Sequence, residues 1–96
     1  MEFLPLFANI SGQTCLVVGG GSIAARKAAL LARAGAVVRM VAPEICDAAK
    51  EVVENSGGEL RLKTFADADL DGVALVVAAT DEQHINAHVS DAARRL

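Results

Sequence analysis

The chain has 96 residues, 53% of them hydrophobic but only 3% aromatic, with a formal net charge of −3 at pH 7. That length holds one domain with an aliphatic core, and the acidic balance argues against nonspecific nucleic-acid binding, which leans on a basic surface. No apolar run is long enough to span a membrane, and the start Met1-Glu2-Phe3-Leu4-Pro5 lacks the basic and apolar regions of a signal peptide.

Residues 14–18 read as a short apolar strand that contains Cys15. It runs through Gly19-Gly20-Gly21 into an Ala- and Leu-rich helix over 22–34, which Gly35 ends. Val37 to Val41 reads as a second strand, stopped by Ala42-Pro43. A weaker helix follows from Glu44 to Asn55, with Cys46 near its start and Ser56-Gly57-Gly58 at its end. The two cysteines form neither a disulfide framework nor a metal spacing, which fits a reducing cytoplasm. Residues 60–65 alternate, with basic side chains at every second place, as a half-exposed edge strand does. Asp67, Asp69 and Asp71 flank a short turn and read as solvated. Val73 to Ala79 is almost continuously apolar, the pattern of a strand buried on both faces. Thr80 then caps a last helix, with Gln83 completing a capping box.

Strands alternating with helices through right-handed crossovers predict an α/β, Rossmann-like parallel sheet in the order 3-2-1-4, flanked by helices. In that order the 73–79 strand has an open edge, a hazard that natural proteins cover. A further strand downstream, or the same strand of a second subunit, would cover it. We expect residues 1–96 to be the amino-terminal, nucleotide-binding fragment of a longer protein.

Gly19, Gly21 and Ala24 fall on the G-x-G-x-x-G/A spacing of a dinucleotide-binding turn. Gly19 permits a tight turn, Gly21 lets the backbone approach a pyrophosphate, and Ala24 lets the helix pack close to the strand. The pyrophosphate would rest on the helix's free N–H groups and its positive dipole end. An ordinary strand-to-helix turn is the competing reading. On a 100° wheel Ile23, Lys27, Leu30 and Ala34 share one stripe, with Ala24, Ala28 and Leu31 beside it. Lys27 therefore sits in an apolar face, where it either snorkels or supports the cleft electrostatically. Arg26 lies on the exposed side and reads as solvated, although a guanidinium near this cleft could meet carboxylates. His84 and His88 have an i, i+4 spacing that can clamp a metal, but two histidines without a third ligand make a poor site.

The blocks Leu4-Pro5-Leu6-Phe7, Cys15 to Gly21, Ala25-Arg26-Lys27-Ala28, Ala34-Gly35-Ala36, Ala78-Ala79-Thr80-Asp81 and Val89-Ser90-Asp91-Ala92 closely resemble the start of siroheme synthase. The resemblance runs over the whole chain. It implies a precorrin-2 dehydrogenase and sirohydrochlorin ferrochelatase that oxidises precorrin-2 with NAD⁺, inserts Fe2+ and acts as a cytoplasmic homodimer. It carries cofactor contacts to Ser22 and Ile23 and to Pro43 and Glu44. The family's catalytic aspartate and its dimerisation segment would lie past Leu96, so this chain is expected to hold cofactor but no catalytic residue and no resident metal. Glu44 comes slightly late for the acid that binds a ribose, and equally suits the start of a helix. No Arg follows the second strand's tip to accept a 2′-phosphate, which favours NAD over NADP. Thr80 lies where the adenosine half would pass, or serves only as a helix cap. The reading from another class is a noncatalytic NAD(H)-sensing module with the same turn and fold.

Overall fold

A computed structural model describes residues 10–80. The Leu4-Pro5-Leu6-Phe7 block, the last helix and its Gln83, and His84 and His88 lie outside them. The elements are β1 (Thr14–Val18), α1 (Ser22–Arg33), β2 (Val37–Ala42), α2 (Asp47–Asn55), β3 (Glu59–Leu62), a short 3-10 helix (Asp67–Leu70) and β4 (Val73–Ala78). The strands form one parallel sheet in the order β3-β2-β1-β4, as the pattern predicts.

Both helices end as their glycines dictate. Gly35 has φ +91°, and the amides of Gly35 and Ala36 donate back to Ala32 and Leu31 at 3.0 and 3.1 Å. Gly57 and Gly58 repeat the arrangement at the end of α2, donating to Glu54 and Val53. Each is a Schellman closure, which needs a residue free to adopt positive φ. One sheet face packs on α1 and α2 through Cys15, Val17, Val38 and Met40 against Ala24, Ala28, Leu31, Ala49 and Val53. The other gathers Leu16, Val18 and Val41 with Phe65 and Leu70 from the β3–β4 connection.

Five expectations are corrected. The buried stripe of α1 is Ala24, Ala28 and Leu31, whereas Ile23 and Leu30 are 43% and 39% exposed. Lys27 is exposed with them, so it bears no burial cost. α2 starts at Asp47 rather than Glu44, because Pro43 to Cys46 stay extended or bent as the chain leaves β2. β3 ends at Leu62, beyond which the chain turns inward to bury Phe65. β4 is half-buried rather than buried on both faces, because among the described residues it pairs only with β1. It also bulges at exposed Ala74, where the register moves from Thr14 opposite Val73 to Cys15 opposite Leu75.

The fifth correction concerns Asp69, which is 1% exposed rather than solvated; its neighbours Asp67 and Asp71 are exposed. Its carboxylate accepts from Lys63 Nζ at 2.6 Å, Arg61 at 2.8 Å and the Ala66 amide at 2.8 Å. Burial works against the charged form, but Lys63, Arg61 and the Ala66 amide outweigh it and hold the carboxyl below its ordinary value. Arg39 donates to the Asp69 and Asp71 carbonyls at 2.8 Å each and pairs with Glu59. Arg39 on β2, with Arg61 and Lys63 from the alternating segment, thus staples β2 and β3 to the crossover that leads into β4.

Candidate functional site

Register brings the site together. Val18 lies opposite Val41 on one side and Ala78 on the other, so β1, β2 and β4 end level. The residues that follow each strand therefore meet outside one pole of the sheet. That pole is at the switch point where the strand order reverses, the usual place for a ligand in an open α/β sheet.

Backbone hydrogen bonds hold the three segments against one another. Gly19 N–H donates to the Val41 carbonyl at 3.0 Å, Ala79 N–H to Val18 at 2.8 Å, and Cys46 N–H to Gly20 at 2.7 Å. The glycines divide the work. Gly19 has φ +135°, and a Cβ there would run into the Ala79 carbonyl. A Cβ on Gly20 would strike the Glu44 carbonyl and the Ile45 backbone. Gly21 is different: it has ordinary extended geometry, with φ −93°, and a Cβ would meet nothing within 4 Å. Packing demands glycine at the first two positions, whereas the third keeps open space in front of the helix.

Between these segments lies a cleft of about 400 Å³, lined by Gly19 to Ile23, by Ala42, Pro43 and Glu44, and by Ala79 and Thr80. Of the residues picked from sequence, Gly19, Gly21, Ser22, Ile23, Pro43, Glu44 and Thr80 come together here. Ala24 does not: it is fully buried beneath α1, where its small side chain brings the helix close to the sheet. Gly20, Ala42 and Ala79 line the cleft without having been singled out. The middle glycine of the triplet was the available signal for Gly20; nothing but small size marks the two alanines.

The cleft's electrostatics are simple. Gly21 is the N-cap of α1, no side chain caps the helix, and its first turn holds no acid. The amides and positive end of the dipole therefore face the cleft uncompensated, a setting suited to an anion. Glu44 is the charged residue of the lining, and it is exposed. With α2 starting at Asp47, which supplies that helix's first-turn acid, the helix-start role proposed for Glu44 falls to Asp47. The open space at Gly21 and the bare amides fit a pyrophosphate, so the residues present suit a dinucleotide.

Among the described residues no group of three His, Cys, Asp or Glu could hold a metal ion. No described helix is long and apolar enough to cross a membrane. Cys15 is buried, which pushes its thiol pKa up, and Cys46 is exposed beside the turn.

Comparison with known proteins bears on this cleft. A family model described as "Putative NAD(P)-binding" matches residues 6–96. The siroheme synthase of Pseudomonas fluorescens (strain SBW25) is 59% identical over 95 residues, which are 99% of this chain and 20% of that protein. The siroheme synthase of Azotobacter vinelandii is 53% identical over 90 residues, covering 94% of this chain and 19% of its own length. A solved structure of SirC, precorrin-2 dehydrogenase, superposes with a TM-score of 0.78 at 31% identity, over 94% of this chain and 44% of that one. The chain thus spans about a fifth of the length of the curated relatives it matches.

Proposed function

Since this chain belongs to the NAD(P)-binding family and corresponds to the amino-terminal region of siroheme synthases, we propose that it is the coenzyme-binding part of an enzyme of siroheme biosynthesis. That enzyme uses NAD⁺ to oxidise precorrin-2 to sirohydrochlorin and then inserts Fe2+, its second substrate. The observation that carries this reading is the uncapped, acid-free start of α1 facing a cleft that Gly21 leaves open. The amides of the first turn of α1 hold the pyrophosphate. Ser22 and Ile23 flank it, and Pro43, Glu44 and Thr80 line the path of the nucleoside. A bound coenzyme would supply the acceptor for the hydride that the macrocycle gives up. The chain's own task is to fix the coenzyme against three level strand ends.

Glu44 accepts from a ribose hydroxyl and repels a 2′-phosphate, which favours NAD⁺ over NADP⁺. Lys63 offers the phosphate no relief. Its amide bonds the Ala42 carbonyl at the tip of β2, but its ammonium is engaged by Asp69 and the Thr64 carbonyl. The catalytic base is proposed to come from the part of the relatives' length that this chain does not span. Calorimetric titration of the full-length protein with NAD⁺ and NADP⁺, followed by NADH formation from precorrin-2, tests the proposal. Saturable NAD⁺ binding with NADH formation is expected; a folded protein that takes up neither coenzyme overturns it.

A further inference from the structure

The exposed face of α1 has a composition that folding does not require. The helix carries Arg26, Lys27 and Arg33 and no acid, in a chain whose net charge is −3. All three cations are exposed. The ion pairs of the described residues join Arg39, Arg61 and Lys63 to Glu59 and Asp69, so Arg26 and Lys27 have no partner among the described residues. Arg39, Arg61 and Lys63 are paired, whereas the cations of α1 have no ion pair among the described residues.

Two of the large aliphatic side chains exposed on this protein bracket the pair. Ile23, 43% exposed, precedes Arg26 and Lys27 by three and four residues, and Leu30, 39% exposed, follows them by four and three. Those are the spacings at which side chains neighbour one another on a helix. The face therefore reads aliphatic, two cations, aliphatic, over roughly 10 Å of helix. It starts inside the cleft, because Ile23 is part of the lining.

Resting on the reading of the cleft given above, we propose that this face of α1 is the docking surface for the acidic macrocyclic substrate, with Arg26 and Lys27 receiving its carboxylates and Ile23 and Leu30 meeting its apolar body. A tetrapyrrole bearing carboxylate arms has the complementary pattern, an apolar disc with an anionic rim. Free cations beside exposed aliphatic groups suit it on both counts. Continuity of the face with the cleft favours this occupant over an acidic protein segment.

The test is the double variant Arg26→Gln/Lys27→Gln in the full-length protein, with sirohydrochlorin binding followed by fluorescence and NAD⁺ binding by calorimetry. Both side chains are exposed and unbonded, so the melting temperature should hold. Sirohydrochlorin affinity should fall about tenfold, the sum of two exposed charge pairs, and lose much of its salt dependence. NAD⁺ affinity should change less than about threefold, because the cations stand a turn or more from the pyrophosphate amides and are screened. The swap Arg26→Lys/Lys27→Arg should restore most of the sirohydrochlorin affinity. Unchanged sirohydrochlorin affinity in the Gln variant overturns the proposal, as does a loss that sedimentation traces to altered self-association. If the unsubstituted protein binds sirohydrochlorin with this dependence but takes up no coenzyme, the reading of the cleft fails while the docking face stands.

Discussion

The three consecutive glycines should fail in different ways when each receives a methyl group. At Gly19 an alanine must adopt φ +135° and meet the Ala79 carbonyl. The backbone conformation costs about 1–2 kcal/mol and the overlap about 1–3 kcal/mol more. A loss of about 3 kcal/mol would lower the Tm of a domain this size by roughly 12–24 °C. Gly20→Ala avoids the conformational cost but collides with the Glu44 carbonyl and Ile45, so about 2 kcal/mol and roughly 8–16 °C are expected. Gly21→Ala meets nothing and needs no unusual φ. Its small N-cap penalty is offset by a less flexible unfolded chain, for a net change within about 1 kcal/mol. Binding should follow the opposite order. Gly21→Val places a branched side chain where the pyrophosphate must approach. Loss of one or two charge-assisted hydrogen bonds then weakens NAD⁺ about 10–100-fold. Thermal unfolding and calorimetric titration of the three variants separate the two effects. A Gly21→Val protein that binds NAD⁺ with unaltered affinity, or a Gly19→Ala protein that melts with the wild type, would refute the reasoning.

Asp69→Asn breaks a buried ion pair. Because Lys63 and Arg61 keep contact with water, the loss should fall below the usual 3–5 kcal/mol, at about 2–3 kcal/mol, measurable as a shift in urea midpoint. The pH dependence follows from the same group. Its folded pKa lies below the ordinary 3.8, so its contribution is fully present above that value and disappears as pH falls through the depressed one. Wild-type stability should therefore drop more steeply than that of Asp69→Asn on acidification below about pH 4, and parallel profiles would count against the assignment. Glu44→Gln should weaken NAD⁺ about tenfold and narrow the preference over NADP⁺. Its Tm should hold, since Glu44 is exposed and precedes α2; a fall in Tm with unchanged affinity would return the residue to a structural role.

What could be read from sequence was set by local chemistry. The parallel order β3-β2-β1-β4, the Schellman glycines Gly35 and Gly57, and the strand–glycine–helix junction all follow from residues adjacent in the chain. What sequence obscured depended on pairing at a distance. Asp69 looks like one of three evenly spaced surface acids until Arg61 and Lys63, eight and six residues earlier, turn out to reach it. The stripe on α1 was placed one position off because alanine gives the hydrophobic pattern little contrast. Ala24 and Ala28 define the buried face, and the larger Ile23 and Leu30 do not. The same weak contrast hid Ala42 and Ala79, whose contribution to the cleft is to occupy little of it.

These two kinds of information meet at the third wall of the cleft. Gly19 is tight only because the Ala79 carbonyl stands beside it, and Ala79 is there because β4 runs level with β1. The start of β4 is set in turn by the crossover, where Leu70 enters the core and Arg39 grips the Asp69 and Asp71 carbonyls. The buried carboxylate therefore has a part in the cleft that it never lines. It fixes the segment that delivers β4 to its register, and with it the wall against which the first glycine turns. A local motif supplies the amides for an anion, while a distant ion network determines whether those amides face a closed cradle or an open edge.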